Sequence, residues 1–184
     1  MENMQIAVIV GSLRKDSFNR QLANAIVKMA PANVSFKLID IGGLPLYNQD
    51  DDEHQSDPVK KMKADIHQCD GVLFITPEYN RSIPGVLKNA LDHGSRPYGQ
   101  NAWAKKPAAI IGISPSPVGT ALAQQHLRGV LAALDMPTLC QPEMFLQMKE
   151  GFFDETGAIG EASRKFIKGW LDRFFTWVST NKGI

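Results

Sequence analysis

Short apolar runs that alternate with helical patterns are the feature that most constrains the fold of this chain. The clearest runs are Ile6–Val10, Val72–Ile75 and Ala108–Ile111, and no polar residue interrupts any of them. A strand with one face in water alternates apolar and polar residues, whereas a strand covered on both faces is apolar throughout. The runs therefore predict a parallel sheet with helices packed on both faces.

The strand–helix alternation repeats five times and predicts a doubly wound α/β sandwich with strand order 2-1-3-4-5. The predicted strands are Gln5–Val10, Val34–Asp40, Gly71–Thr76, Pro107–Ser114 and Thr138–Met144. The predicted helices are Ser17–Met29, Asp57–Gln68, Pro84–His93, Gly119–Leu134 and Ala162–Val178. In the second helix we expect Asp57 as the cap and Pro58 at the first helical position. With 184 residues and no long linker, we expect one domain over residues 1–184.

Composition excludes several classes of function. A formal net charge of +1 gives no global attraction to nucleic acid or to an anionic membrane. No apolar run approaches the roughly 20 residues of a membrane span, and residues 1–5 do not resemble a signal peptide. Cys69 and Cys140 lie far apart in sequence, so we expect two ordinary thiols and a cytoplasmic protein. A core position is favoured for Cys69 over a reactive one.

The segment after the first strand has the composition of an anion-binding turn. Gly11, Ser12 and Arg14 supply a tight turn, a hydroxyl and a guanidinium, and a helix is expected from about Ser17. Loop N–H groups and a helix N-terminus would then converge on one spot. The dinucleotide and Walker A patterns are absent, which favours a terminal monophosphate as the anion. The plain alternative makes Ser17 a helix N-cap and Arg14 a surface residue.

Two more loops should lie at the same edge of the sheet, because parallel strands end together there. The loop Thr76–Gly85 has prolines on both sides of a tyrosine and an asparagine. Such a stiff loop suits one side of a planar heterocycle such as a flavin ring. In the loop Ser114–Thr120, the hydroxyl of Ser114 could bond the ring edge or a sugar chain. The alternatives are an ordinary rigid turn and a capping loop.

Two irregular segments allow more than one interpretation. Asp50–Glu53 could hold a divalent metal, although a solvated acidic loop is favoured because like charges repel and face water. In Lys149–Gly160, the side chains of Phe152 and Phe153 could cover a neighbouring surface or pack under the last helix.

Four motifs together resemble those of the NADPH-dependent FMN reductase family, and the bacterial quinone and chromate reductases are its most similar branch. The motifs are Gly11–Arg14, Ser17–Asn19, Pro77–Asn80 and Pro84–Asp92, and the resemblance covers nearly the whole chain. It implies a flavodoxin-like three-layer sandwich that binds FMN without a covalent bond.

The resemblance also implies which residues bind the cofactor. The phosphate would be held by the segment from Ser12 to Asn19, with Arg14, Ser17 and Asn19 as the expected side chains. The ring would be lined by residues 77–81, with Ser114 nearby, and Lys88–Asp92 would be a structural helix behind the loop. The implied cofactor-binding residues are Ser12, Leu13, Arg14, Ser17, Phe18, Asn19, Pro77, Glu78, Tyr79, Asn80, Arg81 and Ser114.

This chain departs from the family pattern at two positions. Arg81 replaces an aromatic residue and would attract the phosphates of NADPH or an anionic acceptor, or else serve at a subunit interface. His93 replaces a tryptophan, and a packed or solvent-facing histidine is favoured there over a proton donor. Arg128 and Glu143 match positions that join a subunit network in relatives, which implies a homodimer or homotetramer.

The implied reaction passes a hydride from NADPH or NADH through FMN to a quinone or a similar small acceptor, such as free flavin, chromate or an azo compound. The flavin carries the chemistry, so no catalytic residue and no metal are assigned. The first alternative is a flavodoxin-type electron carrier without NAD(P)H turnover. A flavin-free α/β binding domain and an azoreductase are the others.

Overall fold

A computed structural model describes residues 3–183 and contains one parallel sheet of order β2-β1-β3-β4-β5, as the sequence predicts. The strands are β1 Met4–Val10, β2 Val34–Ile39, β3 Gly71–Ile75, β4 Ala108–Ser114 and β5 Phe145–Gln147. The helices are α1 Phe18–Val27, α2 Asp57–His67, α3 Gly85–Gly94, α4 Ala121–Ala133 and α5 Glu161–Asn181, with a 3-10 helix over Gln49–His54.

Two apolar cores lie on opposite faces of the sheet. Successive strand residues point to opposite faces, so Ile6 and Val8 of β1 pack with α1 and α5, whereas Ala7 and Ile9 pack with α2, α3 and α4. All four of these β1 side chains are fully buried. The continuous apolar runs therefore report a sheet covered on both faces. The carboxyl ends of β1, β3 and β4 end up side by side.

The last strand was predicted at the wrong place. β5 is Phe145–Gln147, and it pairs with Gly112–Ser114 at the end of β4. Of the predicted segment Thr138–Met144, Thr138 makes an isolated bridge to Ala108, and the chain then leaves the sheet. Pro142 lacks the N–H that a strand needs, so it does not continue the ladder.

Helix boundaries differ from the predicted ones by up to two residues. Ser56, not Asp57, occupies the N-cap position of α2, and Asp57 is the first helical residue. α4 begins at Ala121 rather than Gly119, because Gly119 has a positive φ of 64° and belongs to the preceding turn. Ser17 lies just outside α1 as its N-cap.

The irregular segments pack onto the sandwich. Phe152 is buried in the core beneath α1 and α5 and makes an edge contact with Phe153, in agreement with packing under the last helix. In the acidic segment, Oδ2 of Asp52 lies 2.6 Å from Nη2 of Arg96. Residues 3–183 include no helix long and apolar enough to cross a membrane.

Cys69 and His93 both occupy structural positions. Cys69 is buried, and burial raises the pKa of its thiol, which lowers its reactivity. His93 lies in the last turn of α3, buried, with Nε2 2.8 Å from the carbonyl oxygen of Pro45. It is therefore a packed histidine rather than a proton donor. Asn89, one turn earlier, donates from Nδ2 to the same carbonyl and so holds the loop after β2.

Candidate cofactor site

A cavity of about 220 Å³ lies at the carboxyl ends of β1, β3 and β4. Its walls come from the three loops that the sequence predicted to meet there. The residues that line it from the predicted set are Ser12, Arg14, Ser17, Phe18, Asn19, Pro77, Glu78, Tyr79 and Ser114. In an open α/β sheet, this point between β1 and β3 is where ligands bind. Ile113 and Pro115 also line the cavity and were not predicted, although both adjoin Ser114.

The start of α1 presents hydroxyl donors and a positive charge. The backbone N–H of Arg20 donates to Ser17 Oγ at 3.3 Å, so Ser17 is the helix N-cap. Its O–H is still able to donate to a ligand, so the capping and phosphate interpretations are compatible. Ser12 is also buried, and its Oγ accepts from the Arg14 N–H at 3.4 Å. The N–H groups of the first helical turn have no partner within the helix.

Arg14 is held over the start of the same helix. Its Nη2 donates to the carbonyl oxygen of Asp16, and its guanidinium carbon lies 5.2 Å from the centroid of the Phe18 ring. The side chain is therefore orientated by a cation–π contact and a backbone acceptor. Leu13 points outward and is exposed.

Asn19 joins α1 to β4. Its Nδ2 donates to the carbonyl oxygen of Ile113 at 2.9 Å, and the Ile113 N–H donates to its Oδ1 at 3.0 Å. The side chain is buried, so both ends of the amide are used on the strand. The expected side-chain contact between Asn19 and phosphate stays a prediction. In the structure the amide fixes where α1 begins relative to Ser114.

Gly11 allows the first loop to lie against the next strand. A Cβ at this position would lie 3.0 Å from Thr76 Oγ1 and 3.2 Å from Leu87 Cδ2. These distances are shorter than ordinary van der Waals contacts, so a side chain would push the loop away from β3 and α3.

The loop after β3 ends in a two-residue turn. The Tyr79 N–H donates to Ser82 O at 3.0 Å, and the Ser82 N–H donates to Tyr79 O at 3.1 Å. Asn80 and Arg81 have φ values of 52° and 67°, so both are left-handed, as a type I′ turn requires. Tyr79 is half exposed beside the cavity. The turn confirms that this loop is stiff.

Two side-chain contacts connect this loop to α4. Oε2 of Glu78 accepts from the N–H groups of Leu122 and Ala123 at 3.0 and 3.1 Å, and therefore caps the helix. Nδ1 of His126 lies 3.0 Å from Ser82 Oγ. The sequence gave no local signal for either contact, because the partners are 44 residues apart.

Ser114 and the expected interface residues have partners within the chain. Ser114 Oγ donates to Gly119 O at 2.6 Å, which leaves its lone pairs for a ligand N–H. Arg128 Nη1 donates to Leu139 O at 2.9 Å, and its Nε lies 3.8 Å from Glu143 Oε1. Arg128 and Glu143 are thus paired on the face of α4, and their role between subunits stays a prediction.

Replacement of Arg14 by alanine is expected to weaken FMN binding about ten- to hundredfold, because one charge-assisted contact with phosphate is lost. The measurement is fluorescence titration of the apoprotein with FMN. Lys15→Ala removes an equal charge from an exposed position in the same loop and is the matched control. Equal affinities for the two variants would make Arg14 a surface residue only.

Replacement of Glu78 by glutamine is expected to lower the free energy of unfolding by about 1 kcal/mol, because an ionised cap of α4 becomes neutral. Urea denaturation of the apoprotein measures this change. Glu155→Gln, at an exposed position, is expected to change stability little. A loss no greater than that of the control would contradict the capping role.

The donor set of the cavity suits a phosphate. Two buried hydroxyls, an orientated guanidinium and a helix N-terminus converge at its base. The stiff loop with Tyr79 and the hydroxyl of Ser114 form the remaining walls. Fold and site together define a flavodoxin-like protein with a monophosphate site at the switch point of the sheet.

Comparisons with known proteins agree with this class. The family model described as NADPH-dependent FMN reductase matches residues 4–151. This chain belongs to that family. It is 52% identical over 176 residues to a 2-hydroxy-1,4-benzoquinone reductase of a Burkholderia species, covering 95% of this chain and 96% of the relative. It is 44% identical over 180 residues to a quinone reductase of Pseudomonas putida, covering 97% of each.

A solved structure supports the same assignment. The chain superimposes on FerB, a flavoenzyme NAD(P)H:(acceptor) oxidoreductase of Paracoccus denitrificans, with a TM-score of 0.93. The two sequences are 42% identical, and the match covers 97% of this chain and 99% of FerB. The flavodoxin-like sandwich predicted from sequence is thereby confirmed.

Proposed function

We propose that this chain is an FMN-dependent NAD(P)H oxidoreductase that reduces quinones. One observation carries the proposal: the hydroxyls and guanidinium at the start of α1 share a cavity with the stiff loop after β3. The relatives at 52% and 44% identity are named quinone reductases, which supports a small-molecule acceptor. Nothing among these relatives favours the electron-carrier alternative.

We assign the phosphate of FMN to the base of the cavity. Ser12 and Ser17 would donate their hydroxyls to it, and Arg14 would pair with its charge. Pro77, Tyr79 and the adjoining Asn80 would line one side of the ring. When bound, FMN supplies the capacity to accept and release a hydride.

The residues of the chain act here by binding and orientation. Glu78, a carboxylate in the cavity wall, has its Oε2 on the N-terminus of α4 and is not placed to move a proton. The net reaction needs one hydride from NAD(P)H and one proton from water for each quinone reduced to hydroquinone. We therefore assign no general acid or base.

We also propose one FMN-binding domain over residues 1–184 and a homodimer or homotetramer in the cytoplasm. Arg128 and Glu143 on α4 are the proposed interface residues. Support for the compartment comes from the two cysteines, neither of which forms a disulfide within residues 3–183. Light scattering of the purified protein measures the number of subunits.

The proposed activity is tested by adding NADPH or NADH and a benzoquinone to the purified yellow protein. We expect sustained loss of absorbance from the reduced nicotinamide, with hydroquinone formed in equal amount. FMN should be the flavin released on denaturation, identified by its mass. A flavin-containing protein with no turnover by either nicotinamide would favour the electron carrier, and a protein that binds no flavin would favour the binding domain.

A further inference from the structure

Arg81 stands at the rim of the cofactor cavity with an exposed charge. Its side chain is 71% exposed, and its Nη1 lies 4.0 Å from Oε1 of Glu78, which lines the cavity. Tyr79, two residues earlier, also lines the cavity and is half exposed. A molecule that enters beside Tyr79 therefore passes near the Arg81 guanidinium.

Glu78 neutralises this charge only weakly. Its Oε2 accepts two backbone hydrogen bonds from α4, so the carboxylate is orientated toward that helix. The distance of 4.0 Å between Nη1 and Oε1 is too long for a hydrogen bond. Exposed pairs of this kind are weak, so the guanidinium keeps its donors for another acceptor.

The backbone does not favour an arginine here. Arg81 is the second central residue of the type I′ turn, with a φ of 67°. Glycine is the residue that this position prefers, because a Cβ is unfavourable at positive φ. A glycine would complete the turn with less strain. The turn alone therefore gives no reason for arginine, whereas its position at the rim gives one.

We propose that Arg81 is a specificity-determining residue that selects quinones bearing an ionised hydroxyl group. This inference rests on the proposed function, because it names the class of acceptor for the same site. A 2-hydroxyquinone is a vinylogous carboxylic acid and is an anion at neutral pH. Its ionised oxygen and the adjacent carbonyl oxygen offer two acceptors side by side, which suits the planar fork of a guanidinium.

The electrons balance as they do for a neutral quinone. NAD(P)H provides the hydride, one proton comes from water, and the products are the hydroquinone and NAD(P)⁺. The ionised hydroxyl takes no part in this transfer, so its effect is on binding and orientation. The relative that is 52% identical to this chain is named for a quinone of this class.

The test compares 2-hydroxy-1,4-benzoquinone with 2-methoxy-1,4-benzoquinone, which has similar size and no charge. Binding of each to the oxidised holoenzyme is measured by titration calorimetry, without a nicotinamide, so no turnover occurs. All variants carry Cys140→Ser, because Cys140 is exposed and thiols add to quinones. We compare the parent with Arg81→Gly, which suits the turn, and Arg81→Lys, which keeps the charge.

The ratio of the two dissociation constants should favour the anion in the parent and fall about five- to tenfold in Arg81→Gly. Arg81→Lys should lie between them, because it keeps the charge and loses the fork. The preference should also weaken as salt is raised, since salt screens exposed charges. A ratio that is equal in the parent and Arg81→Gly would overturn the inference.

A change in subunit number in Arg81→Gly, with the ratio unaltered, would also overturn it and make Arg81 an interface residue. Steady-state turnover of both quinones by the parent distinguishes these results from failure of the proposed function. Turnover with an unaltered ratio contradicts the role of Arg81 alone. No turnover of either quinone with NADPH or NADH contradicts the proposed function itself.

Discussion

Replacement of Asn19 by leucine is expected to lower the free energy of unfolding by about 2–5 kcal/mol. Leucine has a similar volume but no hydrogen-bonding group, so the N–H and the carbonyl oxygen of Ile113 would lose the partner they have in Asn19. Each unpaired buried polar group costs about 1–3 kcal/mol. The measurement is urea denaturation of the apoprotein, which keeps cofactor binding out of the result.

The matched control is Asn24→Leu, an exposed position on the same helix, where a change of less than 0.5 kcal/mol or so is expected. Asn19→Leu should also weaken FMN binding in calorimetry at a temperature where both variants are folded. The reason is that α1 would no longer be fixed against β4. Equal stability of the two variants would contradict the joining role of Asn19.

Replacement of Gly112 by alanine is the second large effect we expect, with a loss of about 3 kcal/mol in the free energy of unfolding. A Cβ at Gly112 would lie 2.1 Å from Thr120 Oγ1 and 2.2 Å from the carbonyl oxygen of Thr76. Thr76 O belongs to the backbone after β3, so the methyl group cannot be accommodated by a side-chain rotation alone. The end of β4 and the loop after β3 would have to separate, which widens the cofactor cavity.

Gly129→Ala is the control for this change, because nothing lies within 4 Å of a Cβ there and the position is exposed within α4. That variant should gain up to about 1 kcal/mol from helix propensity. Thermal unfolding of both apoproteins measures the difference. A Gly112→Ala protein as stable as the parent would show that β3 and β4 are less closely packed than the structure has them.

The sheet was predictable because its central strands have a strong local signal. Ile6–Val10 and Val72–Ile75 are apolar throughout, and a strand buried on both faces has no other composition available. β5 carries no such signal. It is three residues long, at the edge of the sheet, and its position depends on pairing with Gly112–Ser114. A contact between segments about 30 residues apart leaves no trace in the local pattern.

The location of the site was also predictable, whereas several side-chain roles were not. The rule that parallel strands end together placed the loops of Ser12, Tyr79 and Ser114 at one edge. The contacts of Asn19 with Ile113 and of Glu78 with α4 span 94 and 44 residues. Both side chains are polar residues within binding motifs, so sequence alone assigns them to the ligand. The structure shows that they also hold the loops together.

The account as a whole is tested most directly by anaerobic titration of the purified holoprotein, followed through the visible absorbance of its flavin. One equivalent of NADPH or NADH should bleach the flavin, and one equivalent of a benzoquinone should then restore the original spectrum in full. That result would show two-electron transfer from nicotinamide to quinone through the bound FMN. A flavin that neither nicotinamide bleaches, or that stays reduced after the quinone is added, would contradict the account.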